Sequence, residues 1–153
     1  MDPTALLHFC NLMLAGIAAG GQVLVLFAIV PTRGLLPTGA AVLLHREMSR
    51  RIDRFMPATV GLAAVTGVLL LLPAAQVDAR SAALLAVGIA ANLCVAVLSI
   101  FALMPINRRV AGWSTDRVPA EFTLTFDRWG RLHAARTISS VVALAAYLLA
   151  ALT

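Results

Sequence analysis

Long apolar runs alternate with short polar segments along the whole chain of 153 residues. An apolar run of about 18 residues or more is long enough to cross a bilayer as a helix. Four runs reach this length, at about residues 5–30, 56–75, 82–104 and 134–152. Because proline breaks a helix, the first and third helices are predicted to stop at Pro31 and Pro105. The pattern predicts an all-α membrane four-helix bundle that forms a single domain over residues 1–153.

The distribution of arginine predicts how the spans are oriented. All twelve cationic residues are arginines, and eleven of them lie in the two long segments at residues 31–55 and 105–136. The turn on the other side contains only Arg80. Because loops rich in arginine and lysine stay in the cytoplasm, the loops at 31–55 and 105–133 are predicted to be cytoplasmic. The protein is then a multi-pass protein of the plasma membrane, with both termini on its outer side.

Helical periodicity continues from two spans into the polar segments beside them. From His45 to Thr66, and again from Phe122 to Tyr147, one face recurs with the period of an α-helix. A last helix over residues 119–152 would be about 51 Å long, against about 30 Å of hydrocarbon core. The second and fourth helices are therefore predicted to extend into the cytoplasm, with a local kink in the second helix at Pro57.

Composition agrees with a membrane protein and narrows the classes of partner. Hydrophobic residues make up 61% of the chain and charged residues 12%, whereas soluble domains have about 45–50% and about 25%. The net charge of +5 comes from loop arginines, so the bilayer and not nucleic acid is the expected partner. A homo-oligomer is left open. Cys10 and Cys94 lie in apolar runs without a C-x-x-C motif, which disfavours thiol-redox chemistry and zinc.

Polar residues in and beside the spans are the candidate site residues. A charged side chain facing lipid costs about 2.5–3.5 kcal/mol near the bilayer centre, so such side chains are expected to point inward. The last helix carries Trp129, His133 and Arg136 on one stripe. A phenol or enol could lose a proton to His133, and its anion could then rest against Arg136. The candidates are His133, Arg136 and Asn107 for catalysis, and Trp129, His45 and Gln22 for substrate binding.

These residues also have a purely structural interpretation. Basic and aromatic side chains commonly mark the ends of spans. Amides such as Asn11, Gln22 and Asn92 more often make hydrogen bonds between helices than sites. Gly16 and Gly20 form a G-x-x-x-G pair, which predicts close contact with another helix.

Four short motifs lie at the ends of the spans, and their order along the chain is recognisable. They are Val30-Pro31, Met56-Pro57, the Pro-x-Asn of Pro105 to Asn107, and the Trp-x-x-x-His-x-x-Arg of Trp129 to Arg136. In this order the chain resembles the anthrone-oxygenase-like family of small four-span membrane proteins. The resemblance covers nearly the whole chain and implies a four-helix membrane bundle.

The resemblance also implies an activity, namely oxidation of an anthrone-like polycyclic phenol to a quinone by molecular oxygen, without a metal or flavin. His133 would be the base, Arg136 and Asn107 would stabilise the enolate, and Trp129 would stack on the substrate. Three alternatives stay open. They are a non-catalytic membrane module that assembles with or stabilises a partner, a haem or metal site held by His45 and His133, and small-molecule export. Export is weakened because no acidic residue lies within a span.

Overall fold

The computed structural model of the protein describes residues 2–72 and 77–153. Within these two ranges the regular secondary structure is entirely helical, which confirms the all-α prediction. The α-helices are α1 (Pro3–Leu24), α2 (Val30–Gly34), α3 (Thr38–Ile52), α4 (Met56–Leu70), α5 (Ala79–Val97), α6 (Met104–Ala111) and α7 (Phe122–Ala151). Two π-helical segments, Val25–Ile29 and Leu98–Leu103, connect α1 to α2 and α5 to α6.

The long helices form a membrane bundle. In the bundle, α1 packs against α4 and α7, and α5 packs against the same two helices. Three helical units, Pro3–Gly34, Ala79–Ala111 and Phe122–Ala151, are long and apolar enough to cross a membrane. The α3 and α4 helices pass the same test together, as a pair bent by 41°. At 30 residues, α7 is about 45 Å long and extends beyond a hydrocarbon core of about 30 Å.

Two prolines lie inside continuous helical units. The prediction that helices stop at Pro31 and Pro105 was wrong, because each helical unit continues beyond its proline. Proline in an α-helix lacks an N–H group and clashes with the carbonyl four residues earlier. A π-helical segment ends two residues before each of these prolines. Its wider turn, with bonds from i to i+5, accommodates the displaced carbonyl.

The other predicted bounds also change in detail. The break in the second unit lies between Ile52 and Met56, whereas the sequence placed a kink at Pro57. Pro57 is instead in the first turn of α4, where its missing N–H group needs no partner. The α7 helix begins at Phe122, one turn after Pro119. The predicted end of the second span, at residues 73–75, lies outside the described residues.

Close packing of α4, α5 and α7 depends on two glycines. A Cβ atom at Gly88 would lie 2.5 Å from the ring of the fully buried Tyr147, and one at Gly67 would lie 2.9 Å from its hydroxyl. The predicted pair, Gly16 and Gly20, behaves differently. Among the described residues, no atom lies within 4 Å of a Cβ placed at either position. Gly16 and Gly20 therefore do not bring helices together within one chain, and the expectation of close contact was wrong for the helices of the same chain.

Candidate functional site

The residues singled out from the sequence lie at one end of the bundle, formed by the end of α1, by α2, α3, α6 and the first half of α7, and by the segments that follow α3 and α6. We call it the polar end, because eleven of the twelve arginines lie on it. Its buried members are Gln22, His45, Trp129 and His133, each at most 3% exposed. Asn107 and Arg136 lie beside them and are partly exposed.

One hydrogen-bonded unit is centred on Asn107. The guanidinium of Arg33 donates to Nδ1 of His45 over 3.3 Å. Because a guanidinium has only donors, the proton of His45 is on Nε2, which donates to Oδ1 of Asn107 over 3.2 Å. The indole N–H of Trp129 donates to the same oxygen over 2.8 Å. The Asn107 amide group therefore has a fixed orientation, and its Nδ2 donates to Oδ2 of Asp53 over 3.3 Å.

A second unit of the same kind is centred on His133, one helical turn after Trp129. Nη2 of Arg136 donates to Nδ1 of His133 over 2.7 Å. The His133 proton is therefore on Nε2, which donates to the backbone carbonyl of Gln22 over 3.1 Å. Nη1 of Arg136 donates to the Ser99 hydroxyl over 3.3 Å. Both ring nitrogens of His133 are thus engaged, and an arginine holds its lone pair.

Trp129 lies between the two histidines. Its ring stacks on that of His133, and the ring of His45 meets it at 83° with centroids 4.9 Å apart. A haem or metal shared by His45 and His133 would require both imidazoles to give up their hydrogen bonds. In the ranges 2–72 and 77–153, no three His, Cys, Asp or Glu side chains are grouped to hold a metal ion.

A cavity of about 170 Å³ lies beside Arg136. The polar residues that line this cavity are Gln22, Asp53, Ser99 and Arg136. A smaller void of about 20 Å³ is lined by the same Gln22, Asp53 and Arg136 and by the stacked residues Trp129 and His133. Oε1 of Gln22 and Nε of Arg136 are buried and have no partner within the described chain. An unpaired buried polar atom costs about 1–3 kcal/mol, so two residues that line the cavity have hydrogen-bonding capacity that the described chain does not satisfy.

The apolar wall of the cavity opens on the outer surface of the bundle. Pro57 and Gly61 of α4 and Ile100 after α5 line the cavity and are exposed. The helical units that carry them are apolar enough to lie in a membrane. Met56 and Met104 also line it, and methionine side chains adapt readily to the shape of a ligand.

The sequence model of the anthrone oxygenase family matches residues 45–146, which is two thirds of the chain. This chain belongs to the anthrone oxygenase family. Comparisons with curated proteins and with solved structures gave no match. The match begins at His45 and includes Asn107, Trp129, His133 and Arg136.

In this member of the anthrone oxygenase family, the polar end also contains an arginine that the sequence analysis did not select. The guanidinium of Arg33 lies 4.1 Å above the centre of the Phe126 ring and 5.1 Å from that of Trp129. Such cation–π contacts stabilise a charge that is only 7% exposed. The position of Arg33 directly after an apolar span indicated a residue near the site. The predicted helix end at Pro31, however, placed Arg33 in a loop.

Asp53 is the second residue that the sequence analysis missed. It lies in the turn between α3 and α4, outside the membrane-spanning helices, with one side exposed. Burial of its other side raises the pKa of the carboxyl, although the bond from Asn107 and the charge of Arg136 act in the opposite direction. The spacing of residues could have identified Asp53. It follows Ser49 by four residues and His45 by eight, which places it on the same helical face as His45.

Proposed function

We propose that the protein is a membrane oxygenase that oxidises an anthrone-like polycyclic phenol to the corresponding quinone with molecular oxygen. The observation that carries this proposal is the cavity beside Arg136, which has an apolar wall and a guanidinium at one end. A flat hydrophobic ligand with an oxygen that becomes negative matches both features. Membership of the anthrone oxygenase family supports the same substrate class.

The proposed chemistry places a developing negative charge beside Arg136. An anthrone that loses a proton from its central CH₂ group becomes an enolate, with the charge on the oxygen across the ring. A guanidinium stabilises such an oxygen through charge-assisted hydrogen bonds. The electron-rich enolate then reduces O₂. In the net reaction the CH₂ group becomes C=O, and one O₂ gives one quinone oxygen and one water.

The remaining polar residues would position these groups. His133 and Ser99 hold two nitrogens of Arg136, so in this proposal His133 keeps the guanidinium directed at the cavity. The unpaired oxygen of Gln22 would accept a hydrogen bond from a phenolic hydroxyl. Trp129 remains the proposed aromatic wall, at the end of the smaller void.

The proposed substrate would enter from the bilayer. A polycyclic phenol dissolves in lipid, and the cavity opens to the membrane beside Gly61 and Ile100. The cavity of about 170 Å³ is smaller than most ligand pockets, which measure about 300–1,000 Å³. We therefore expect Met56 and Met104 to move when a tricyclic substrate binds.

The alternative is a non-catalytic membrane module that assembles with or stabilises a partner. It predicts a filled core in which every polar group is paired. The bonds of His45 with Arg33 and Asn107 fit that description. The cavity, with its unpaired atoms on Gln22 and Arg136, favours the oxygenase instead.

The proposal is tested with purified protein in lipid nanodiscs, supplied with anthrone and air. Quinone absorbance and oxygen consumption are expected to rise faster than in protein-free nanodiscs. Arg136→Gln is expected to lower the rate by about 100-fold or more, because loss of one such donor typically has this effect. Arg128→Gln is the matched control, since Arg128 is exposed on the same helix. A wild-type rate equal to autoxidation would refute the proposal.

A further inference from the structure

An oxidation that begins with an enolate needs a proton acceptor near Arg136, and neither buried histidine has a free lone pair. Nδ1 of His133 accepts a hydrogen bond from Arg136, and Nδ1 of His45 accepts one from Arg33. In both rings the other nitrogen donates its proton to an oxygen. Each histidine would have to break its bond to an arginine before it could take a proton. Each would then be a cation beside a guanidinium.

Asp53 is placed where such an acceptor is needed. It lines the cavity and the smaller void together with Gln22 and Arg136. A carboxylate has about four acceptor positions on its two oxygens, and the Asn107 amide occupies one of them. The exposed side of Asp53 gives the captured proton a route to water.

The surroundings of Asp53 fix its position. Asn107 can direct only its NH₂ group at Asp53, because its oxygen already accepts bonds from His45 and Trp129. This chain of contacts holds the carboxylate in place beside the cavity. Partial burial raises the pKa of Asp53, which makes it a stronger base than an ordinary aspartate.

We propose that Asp53 is the catalytic base of this site and that Asn107 is its positioning residue. This inference rests on the proposed function. The C–H bond of the substrate breaks, its electron pair remains on the ring as an enolate beside Arg136, and the proton goes to a carboxylate oxygen of Asp53. The proton then leaves to water, and O₂ takes up the electrons as described above.

Deuterium exchange isolates the proton transfer from the oxidation. Anthrone is incubated under nitrogen in D₂O with the protein in nanodiscs, and label in the CH₂ group is measured by mass spectrometry. The wild type is expected to exchange this hydrogen faster than lipid alone. In Asp53→Asn, the protein-dependent exchange rate is expected to fall by at least about 100-fold, which is typical of removing a general base. Asp116→Asn, at an exposed loop carboxylate, is expected to match the wild type.

A rescue experiment separates catalysis from a structural role. Asp53→Ala should lose exchange and regain part of it when formate is added, whereas a merely structural aspartate would give no rescue. Exchange by Asp53→Asn at the wild-type rate would overturn this inference and leave the proposed function standing. A wild type that neither exchanges the hydrogen nor forms quinone would overturn both.

Discussion

The rings of Trp129 and His133 are stacked, with centroids 4.8 Å apart and planes inclined by 8°. This stack joins the two hydrogen-bonded units of the polar end. Trp129 bonds to Asn107 on one side, and His133 bonds to Arg136 on the other. The proposed base and the proposed enolate-binding residue are therefore held by one pair of rings.

Substitutions of Trp129 should separate the contribution of the indole N–H from that of the ring. Trp129→Phe retains an aromatic ring and removes the 2.8 Å bond to Asn107, which should lower the free energy of unfolding by about 1 kcal/mol. Trp129→Ala removes the stack as well and should cost about 3–5 kcal/mol. Unfolding of the protein in detergent measures both values. Equal losses would contradict the structural role assigned to the ring.

The opening toward lipid should control substrate entry. Among the described residues, no atom lies within 4 Å of a Cβ at Gly61, so Gly61→Leu should fold and place its side chain in the opening. We expect kcat/KM for anthrone to fall by about tenfold, which corresponds to about 1.4 kcal/mol. Gly16→Leu is the matched control, since Gly16 has equal free space on α1 and does not line the cavity. Equal effects of both variants would exclude this route.

The contact between Gly88 and Tyr147 should limit which residues the bundle tolerates. Gly88→Ala places a methyl group 2.5 Å from the buried ring, and the resulting displacement should cost about 1–3 kcal/mol of unfolding free energy. Gly16→Ala should not destabilise the protein, because its methyl group meets no described atom. The difference between the two melting temperatures in detergent is the measurement. A Gly88→Ala variant as stable as Gly16→Ala would contradict the packing.

The arginine distribution predicts a membrane orientation that cysteine labelling can measure. With Cys10 and Cys94 replaced by alanine, Arg80→Cys should react with an impermeant maleimide added to intact cells. Ser114→Cys, in the segment between α6 and α7, should react only after the membrane is opened. The expectation follows from eleven arginines on one side against one on the other. The reverse labelling pattern would refute the predicted orientation.

The sequence was sufficient for the all-α bundle and for the stripe on α7, because both follow from periodicity and from the cost of exposing polar groups to lipid. The sequence was insufficient to predict which glycines allow close packing of helices. The spacing of Gly16 and Gly20 shows that one face of α1 has small side chains, but it does not show whether a helix of the same chain packs on that face. Contacts such as that of Gly88 with Tyr147 depend on how distant helices pair, and single-sequence spacing does not contain this information.

The site was predicted only in part, because periodicity identifies residues within a regular helix and not those where the helix is interrupted. His45, Asn107, Trp129, His133 and Arg136 do come together, since each lies on a stripe or at a helix end that periodicity identifies. Arg33 and Asp53 were missed because both lie where the helical phase changes. Arg33 follows a π-helical segment, and Asp53 lies in the break between α3 and α4.

The two π-helical segments make the site sensitive to chain length as well as to residue type. Each residue advances an α-helix by about 100°, and a π turn contains one residue more than an α turn. Deleting one residue from Val25–Ile29 would rotate Arg33 by about 100° and away from His45. The same deletion in Leu98–Leu103 would rotate Asn107 away from Trp129. In an alignment of relatives, a gap in either segment would therefore mark a protein with a different site, even if every motif residue were retained.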